Sequence, residues 1–96
     1  MLTMDLIKQT VKPLAEKYNL RKVDLFGSYA NGNATEKSDA DFLVEFNISV
    51  PSIFKVMGLK EELSKELNYP VDVIALPAPN IEMLNIGKVI NIYDRT

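Results

Sequence analysis

Two apolar runs, joined by a glycine-serine turn and opening the second time on paired aspartates, constrain this chain more than any other feature. They are Val23-Asp24-Leu25-Phe26-Gly27-Ser28-Tyr29-Ala30-Asn31-Gly32 and Ser38-Asp39-Ala40-Asp41-Phe42-Leu43-Val44. The pattern predicts a buried strand, a tight turn into a short helix, a polar loop and a second buried strand. Asp39 and Asp41 stand two apart, so on extended chain their side chains project to the same side. Asp is depleted in strands, and Phe42-Leu43-Val44 calls for burial right behind the pair. Two anions at the mouth of a core strand repel each other unless a cation lies between them, and a metal site is the simplest resolution. The plainer alternative makes Asp39 a turn residue and Asp41 a strand cap, both in water.

The turn supplies a second component. Gly27 lets the backbone bend without a Cβ clash, and Ser28 is a good helix N-cap. A helix start offers free N–H groups to a phosphate. Alone, a Gly-Ser turn needs no ligand. Beside paired carboxylates it is what metal-assisted phosphoryl or nucleotidyl transfer requires, because hard oxygen ligands hold magnesium and magnesium holds a phosphate chain.

Composition removes competing chemistries. With no His and no Cys, serine-histidine and cysteine-histidine nucleophiles, the common zinc sites and disulfides are all excluded. General-base work falls to carboxylates, Lys or Tyr. A formal charge of −2 argues against general nucleic-acid binding, which needs a basic surface. No apolar run approaches the roughly 20 residues that span a bilayer, so a cytoplasmic protein is expected. Ninety-six residues are expected to form a single domain, 1–96, burying roughly 60–65% of the unfolded surface.

Along the chain, Thr3 is expected to cap a helix from about Met4 to Tyr18, with a kink or restart at Pro13. A strand from about Lys22 to Phe26 follows, then a helical turn from Ser28 to Asn31 ended by Gly32, and a polar loop from Asn33 to Ser38. The second strand spans Asp41 to Phe46. Ser52 caps the longest helix, about Ile53 to Asn68, whose apolar stripe is read as Ile53, Val56, Met57, Leu63 and Leu67. Glu61 and Lys65 form a favourable i,i+4 pair, and Gly58 inside the helix marks a close approach to a neighbour. Val71 to Leu76 is a third strand, broken only by Asp72. Pro77 and Pro79 stiffen a turn, Asn80 caps a helix from about Ile81 to Gly87, and Val89 to Tyr93 gives a further short strand. Strands separated by helices predict an α/β fold, with one small mixed sheet of three to four strands flanked by helices.

Lys37 and Tyr29 read as a solvated loop lysine and a packing or rim residue, and Asp24 and Glu45 as solvated. Two look-alikes fail. Asn33-Ala34 replaces the Lys-Ser/Thr of a Walker A loop, and an EF-hand read from Asp39 lacks its ligand at Leu43, its Gly at Val44 and its Glu at Val50.

Gly27-Ser28-Tyr29-Ala30-Asn31-Gly32 followed by Ser38-Asp39-Ala40-Asp41 resembles the Gly-Ser…Asp-x-Asp signature of the polymerase-β-like nucleotidyltransferase superfamily. The length is similar to its minimal members, the MntA-like antitoxins that pair with HEPN toxins. The resemblance implies the polymerase-β-like nucleotidyltransferase fold, with Asp39 and Asp41 holding two Mg2+ ions. It makes Asp72, whose plainer reading is an edge-strand residue on a wet face, the third carboxylate, on a strand adjacent to Asp41, ligating metal and serving as base. Gly27 and Ser28 would grip the β- and γ-phosphates of ATP, and AMP would pass to a tyrosine of a partner HEPN toxin and silence it. Many relatives carry Arg where this chain has Asn31, which removes a phosphate-facing cation. That departure feeds the alternative, an antitoxin that neutralises its partner by binding alone. Small-molecule transfer, as in antibiotic-modifying relatives, ranks lower, because their extra helical domain has no counterpart here.

Overall fold

Thr3 starts the first helix, α1 (Met4–Lys17), its side-chain oxygen accepting from the Leu6 amide at 3.2 Å. The computed structural model describes residues 2–32, 34, 39–47, 52–76 and 88–95. Pro13 lies inside α1 without a restart. Its missing N–H is tolerated because Ile7, Val11, Leu14 and Ala15 pack that helix onto the sheet. Asn19 follows at φ 56°, a left-handed conformation that Asn adopts more readily than most residues, and it turns the chain into β1 (Leu20–Phe26).

The remaining elements are α2 (Ser28–Asn31), β2 (Ala40–Phe46), α3 (Ile53–Leu67), β3 (Val71–Leu76) and β4 (Ile90–Asp94). The strands form one mixed sheet in the order β3-β2-β1-β4. β1 pairs antiparallel with β2 and with β4, while β2 and β3 run parallel. The parallel pair is joined through α3, as a parallel crossover requires. The expected turn at Pro77 and Pro79, the helix Ile81–Gly87 and most of the Asn33–Ser38 loop, Lys37 included, lie outside the described residues. Among those described, no helix is long and apolar enough to cross a membrane.

Strand periodicity divides the sheet into two unlike faces. On β2, Ala40, Phe42, Val44 and Phe46 are buried, while Asp41, Leu43 and Glu45 between them are half-buried. Val23 and Leu25 pair with Val44 and Phe42, so they share the buried face. A register shift between Leu20 and Lys22 brings Leu20 to the same side. α1 and α3 cover this face. The void among Val11, Leu14, Leu20, Val23, Val44, Leu59 and Leu63 is only about 10 Å3, at the lower limit for a water and wholly aliphatic, so it is dry.

Ser52 caps α3 by accepting from the Lys55 amide at 3.2 Å, and Asn68 ends it at φ 51°. The stripe that meets the core is Leu59, Leu63 and Leu67, with Val56 half-buried beside it. This corrects the expected stripe. Ile53 and Met57 are 68% and 54% exposed, with Phe54 at 82% beside them. Residues at helical spacing define two possible phases, and packing on β2 selects the one centred on Leu59 and Leu63.

Gly58 does mark a close approach, since an added Cβ would stand 3.1 Å from the Tyr18 hydroxyl. That hydroxyl donates to Glu62 Oε1 at 2.6 Å, and Lys17 Nζ lies 2.7 Å from the same oxygen. The hydrogen bond to the carboxylate, aided by burial, pushes the Tyr18 phenol up to about 12. Lys17, and then Tyr18, hold the Glu62 carboxyl below its ordinary value. This cross-helix cluster ties α1 to α3.

Leu59→Ala is therefore expected to cost about 2–5 kcal/mol, whereas Met57→Ala should stay within about 0.5 kcal/mol of the parent. Urea unfolding of both variants checks the assignment, and comparable losses in the two would contradict it.

Candidate active site

The parallel pairing of β2 with β3 sets Asp41 opposite Asp72 as register partners. Register partners on neighbouring strands share a face, and the alternation along β2 places that face away from the two helices. Asp39 lies two residues ahead of Asp41, exposed at the strand entrance. The Asp41 carboxyl is held above its ordinary value, first by burial and then by the charges of Asp72 and Asp39. Both causes penalise the ionised form. Asp41 is thus a half-buried acid under pressure from two like charges, and a cation would relieve it.

β1 brings the turn to the same place. Phe26, its last residue, is the register partner of Asp41, so Gly27 emerges directly against that carboxylate. Gly27 adopts φ 75° and ψ −148°, a region essentially closed to residues with a side chain. A Cβ there would also run into Asp41 Oδ2 and stand 3.3 Å from Cγ. Backbone conformation and clearance each demand glycine.

Ser28 differs from its expected role. Gly27 is the N-cap of α2, no side chain caps the helix, and Ser28 is its first residue. α2 is a single turn, so it contributes little dipole but does present uncapped N–H groups beside Asp41. The turn closes on Gly32 at φ 76°. Tyr29 packs as expected. It is 8% exposed, its hydroxyl accepts from the Leu2 amide at 3.3 Å, and its ring meets Tyr69 edge-on at 6.0 Å.

Asp72 lies on the edge strand, with its side chain 56% exposed. Its Oδ1 accepts from the Val73 amide at 3.0 Å and lies 3.6 Å from Lys60 Nζ. Among the described residues no three acidic side chains already converge as ligands of one ion. Asp41 and Asp72 form a facing pair, and Asp39 stands at the rim.

Asp24 and Glu45, both expected in water, lie on this face, and Lys60, which sequence reasoning passed over, reaches its edge from α3. Asp24 is only 7% exposed. Its Oδ1 accepts from Asn91 Nδ2 at 3.0 Å, and Lys22 Nζ is 3.6 Å from Oδ2. The burial follows from β4 pairing alongside β1, with Asn91 opposite Asp24. An Asp inside Val-Asp-Leu-Phe was the available signal, because a buried charge needs partners. Glu45 is half-buried and lies 3.9 Å from Arg21 Nη1.

Comparison with known proteins identifies the family. Residues 7–96 match the family described as "Nucleotidyltransferase domain". Protein adenylyltransferase MntA of Thermococcus cleftensis is 38% identical over 78 residues, which cover 77% of this chain and 78% of that protein. A solved toxin–antitoxin structure with AMP-PNP superimposes with a TM-score of 0.77 at 20% identity, covering 92% of this chain and 73% of the other. A tri-AMPylated Shewanella oneidensis HEPN toxin in complex with MNT antitoxin gives a TM-score of 0.73 at 18% identity, covering 97% of this chain and 74% of the other. These two likenesses bear on the fold. A half-buried aspartate facing a second across parallel strands, against a glycine at φ 75°, thus sits on a chain that belongs to the nucleotidyltransferase family, with protein adenylyltransferases among its homologues.

Proposed function

We propose that the chain transfers AMP from ATP to a hydroxyl, a tyrosine, on a HEPN-type toxin and thereby acts as its antitoxin. The observation that carries the reading is the in-register pair Asp41–Asp72 with Gly27 pressed against it. The homologous protein adenylyltransferase, the AMP-PNP complex and the AMPylated HEPN toxin beside its MNT antitoxin support the donor and the acceptor.

A divalent cation fits the residues present. Burial, then the charges of Asp72 and Asp39, make the ionised form of Asp41 costly, which a cation would offset, and carboxylate oxygens are the ligands magnesium takes. Asp39, Asp41 and Asp72 would hold it, as two ions. When bound, magnesium supplies charge neutralisation at the α-phosphate and on the departing pyrophosphate. The chain's own groups do the rest. Backbone amides at Gly27 and Ser28 hold the β- and γ-phosphates. The Asp72 carboxylate takes the proton from the acceptor hydroxyl as the new O–P bond forms and the bond to pyrophosphate breaks. A partner protein supplies the acceptor, and the half-exposed edge position of Asp72 suits approach from outside.

A second reading keeps the antitoxin role without transfer, the chain neutralising its partner by contact alone. What favours it is Asp72, engaged by Lys60 and Val73, while among the described residues no three acidic side chains converge as ligands of one ion. Incubation with ATP, magnesium chloride and the HEPN-type partner separates the two. A nucleotide-sized mass gain on the partner supports transfer, and neutralisation that survives both Asp39→Asn and Asp41→Asn supports contact alone.

Under the first reading, Asp41→Asn should lower AMP transfer at least about 100-fold, as measured by single-turnover labelling. Gly27→Ala should cost a similar factor, because the methyl displaces Asp41 and misplacement of about 1 Å is worth that much. Asp41→Asn should also stabilise the metal-free protein at pH 7. The folded-state value of Asp41 lies above its unfolded 3.8, so folding favours the protonated form, and stability falls as pH rises through the raised value. Removing the charge abolishes that loss. Melting temperatures should favour the variant at pH 7 and converge with the parent below pH 3.8, and magnesium should raise the parent's more than the variant's.

A further inference from the structure

Both contacts that Asp72 receives fall on one oxygen. The Val73 amide and the Lys60 ammonium each address Oδ1, at 3.0 and 3.6 Å, and among the described residues Oδ2 has neither a hydrogen bond nor an ion pair. One hydrogen bond leaves a carboxylate free to rotate about its Cβ–Cγ bond, since the terminal torsion of Asp is soft. An ammonium drawn to the same oxygen favours turning that oxygen to the strand edge and leaving the other open.

Lys60 is well placed for this. It follows Leu59, which with Leu63 anchors α3 in the core at 2% exposure each. Its side chain then reaches from the helix layer to the first turn of the edge strand, and it also lines a surface hollow of about 380 Å3 with Met57, Pro70 and Val71. The pair is half exposed, 51% and 56%, so its contribution to stability is small. Orientation is a different matter, because proton transfer depends on which oxygen lies within reach of the acceptor. Among the described ion pairs, this is the one that reaches a proposed site carboxylate.

We propose that Lys60 is a positioning residue that anchors Asp72 through Oδ1 so that Oδ2 is the oxygen presented to the acceptor hydroxyl. The inference rests on the role given to Asp72 above. Lys60 acts as a point charge on one oxygen and makes no bidentate fork, so Arg can replace it here, where at a forked site the exchange would fail.

The test uses Lys60→Met, which keeps the stem and drops the charge, with Lys60→Arg and Asp72→Asn alongside. AMP transfer from α-labelled ATP to the HEPN-type partner is followed in single turnovers, AMP-PNP binding by calorimetry in magnesium chloride, and melting temperature by circular dichroism. Lys60→Met should slow transfer about tenfold, leave AMP-PNP affinity within about twofold and melting nearly unchanged, and Lys60→Arg should recover most of the rate. Parental transfer by Lys60→Met with an inactive Asp72→Asn overturns the proposal while leaving the function intact. So does a rate lost together with AMP-PNP binding and melting temperature, and not restored by Lys60→Arg, which would make Lys60 a strut. Parental transfer by Asp72→Asn instead sinks the role of Asp72, and this inference falls with it.

Discussion

The inner position of β2 is the constraint on which the rest of the molecule depends. It is hydrogen-bonded antiparallel to β1 on one side and parallel to β3 on the other. The first register brings Phe26, and so Gly27, to Asp41. The second brings Asp72. No loop conformation is needed to assemble these three, because each is placed by a ladder whose slippage by one residue would turn the buried Phe42 and Val44 outward. Burial of those side chains, worth about 1.5–3 kcal/mol apiece, therefore also fixes the geometry of the carboxylates.

The same arrangement puts the site at odds with stability. A half-buried Asp41 facing Asp72, with Asp39 close by, is a cost that the folded chain carries. It is offset by the aliphatic layer between α1, α3 and the sheet, and by the cluster of Lys17, Tyr18 and Glu62 that joins the two helices. Asp24 shows the contrasting solution to a buried charge. Asn91 and Lys22 satisfy it within the chain, so it has no need of an added cation. The two aspartates lie on adjacent strands in one face, and their surroundings differ: one is met by side chains of the chain, the other by like charges.

Features fixed by local chemistry were legible in the sequence. Thr3 and Ser52 cap their helices as their side chains allow, Gly32 closes its turn, and the apolar runs become strands with Asp72 at the expected position. The demand for glycine at position 27 was legible as well, although its second cause, the Asp41 carboxylate, belongs to a strand that pairs alongside. What could not be read depends on distant partners. The phase of α3 turns on contact with β2, so Leu59 was missed and Ile53 and Met57 were wrongly assigned inward. Glu62 reaches across to α1 over 44 residues of sequence to bond Tyr18, a link that no pattern within the helix reveals. Asp24 is buried by a strand 67 residues downstream. Ser28 yields the capping position to Gly27, so α2 starts one residue earlier than a serine cap would place it.

The unlike faces of the sheet carry a consequence for how this chain can change. Along β2, even-numbered positions from Ala40 to Phe46 serve the packed layer and odd-numbered ones from Asp41 to Glu45 serve the open side. Packing is thereby written in one parity of the strand and the acidic face in the other. Drift in the odd set changes the charge of that face on a scaffold it does not build, while drift in the even set that lets the ladder slip would carry Asp41 out of register with Asp72. Interleaved in sequence yet separate in space, the two sets depend on each other in one direction only, from packing to acidic face.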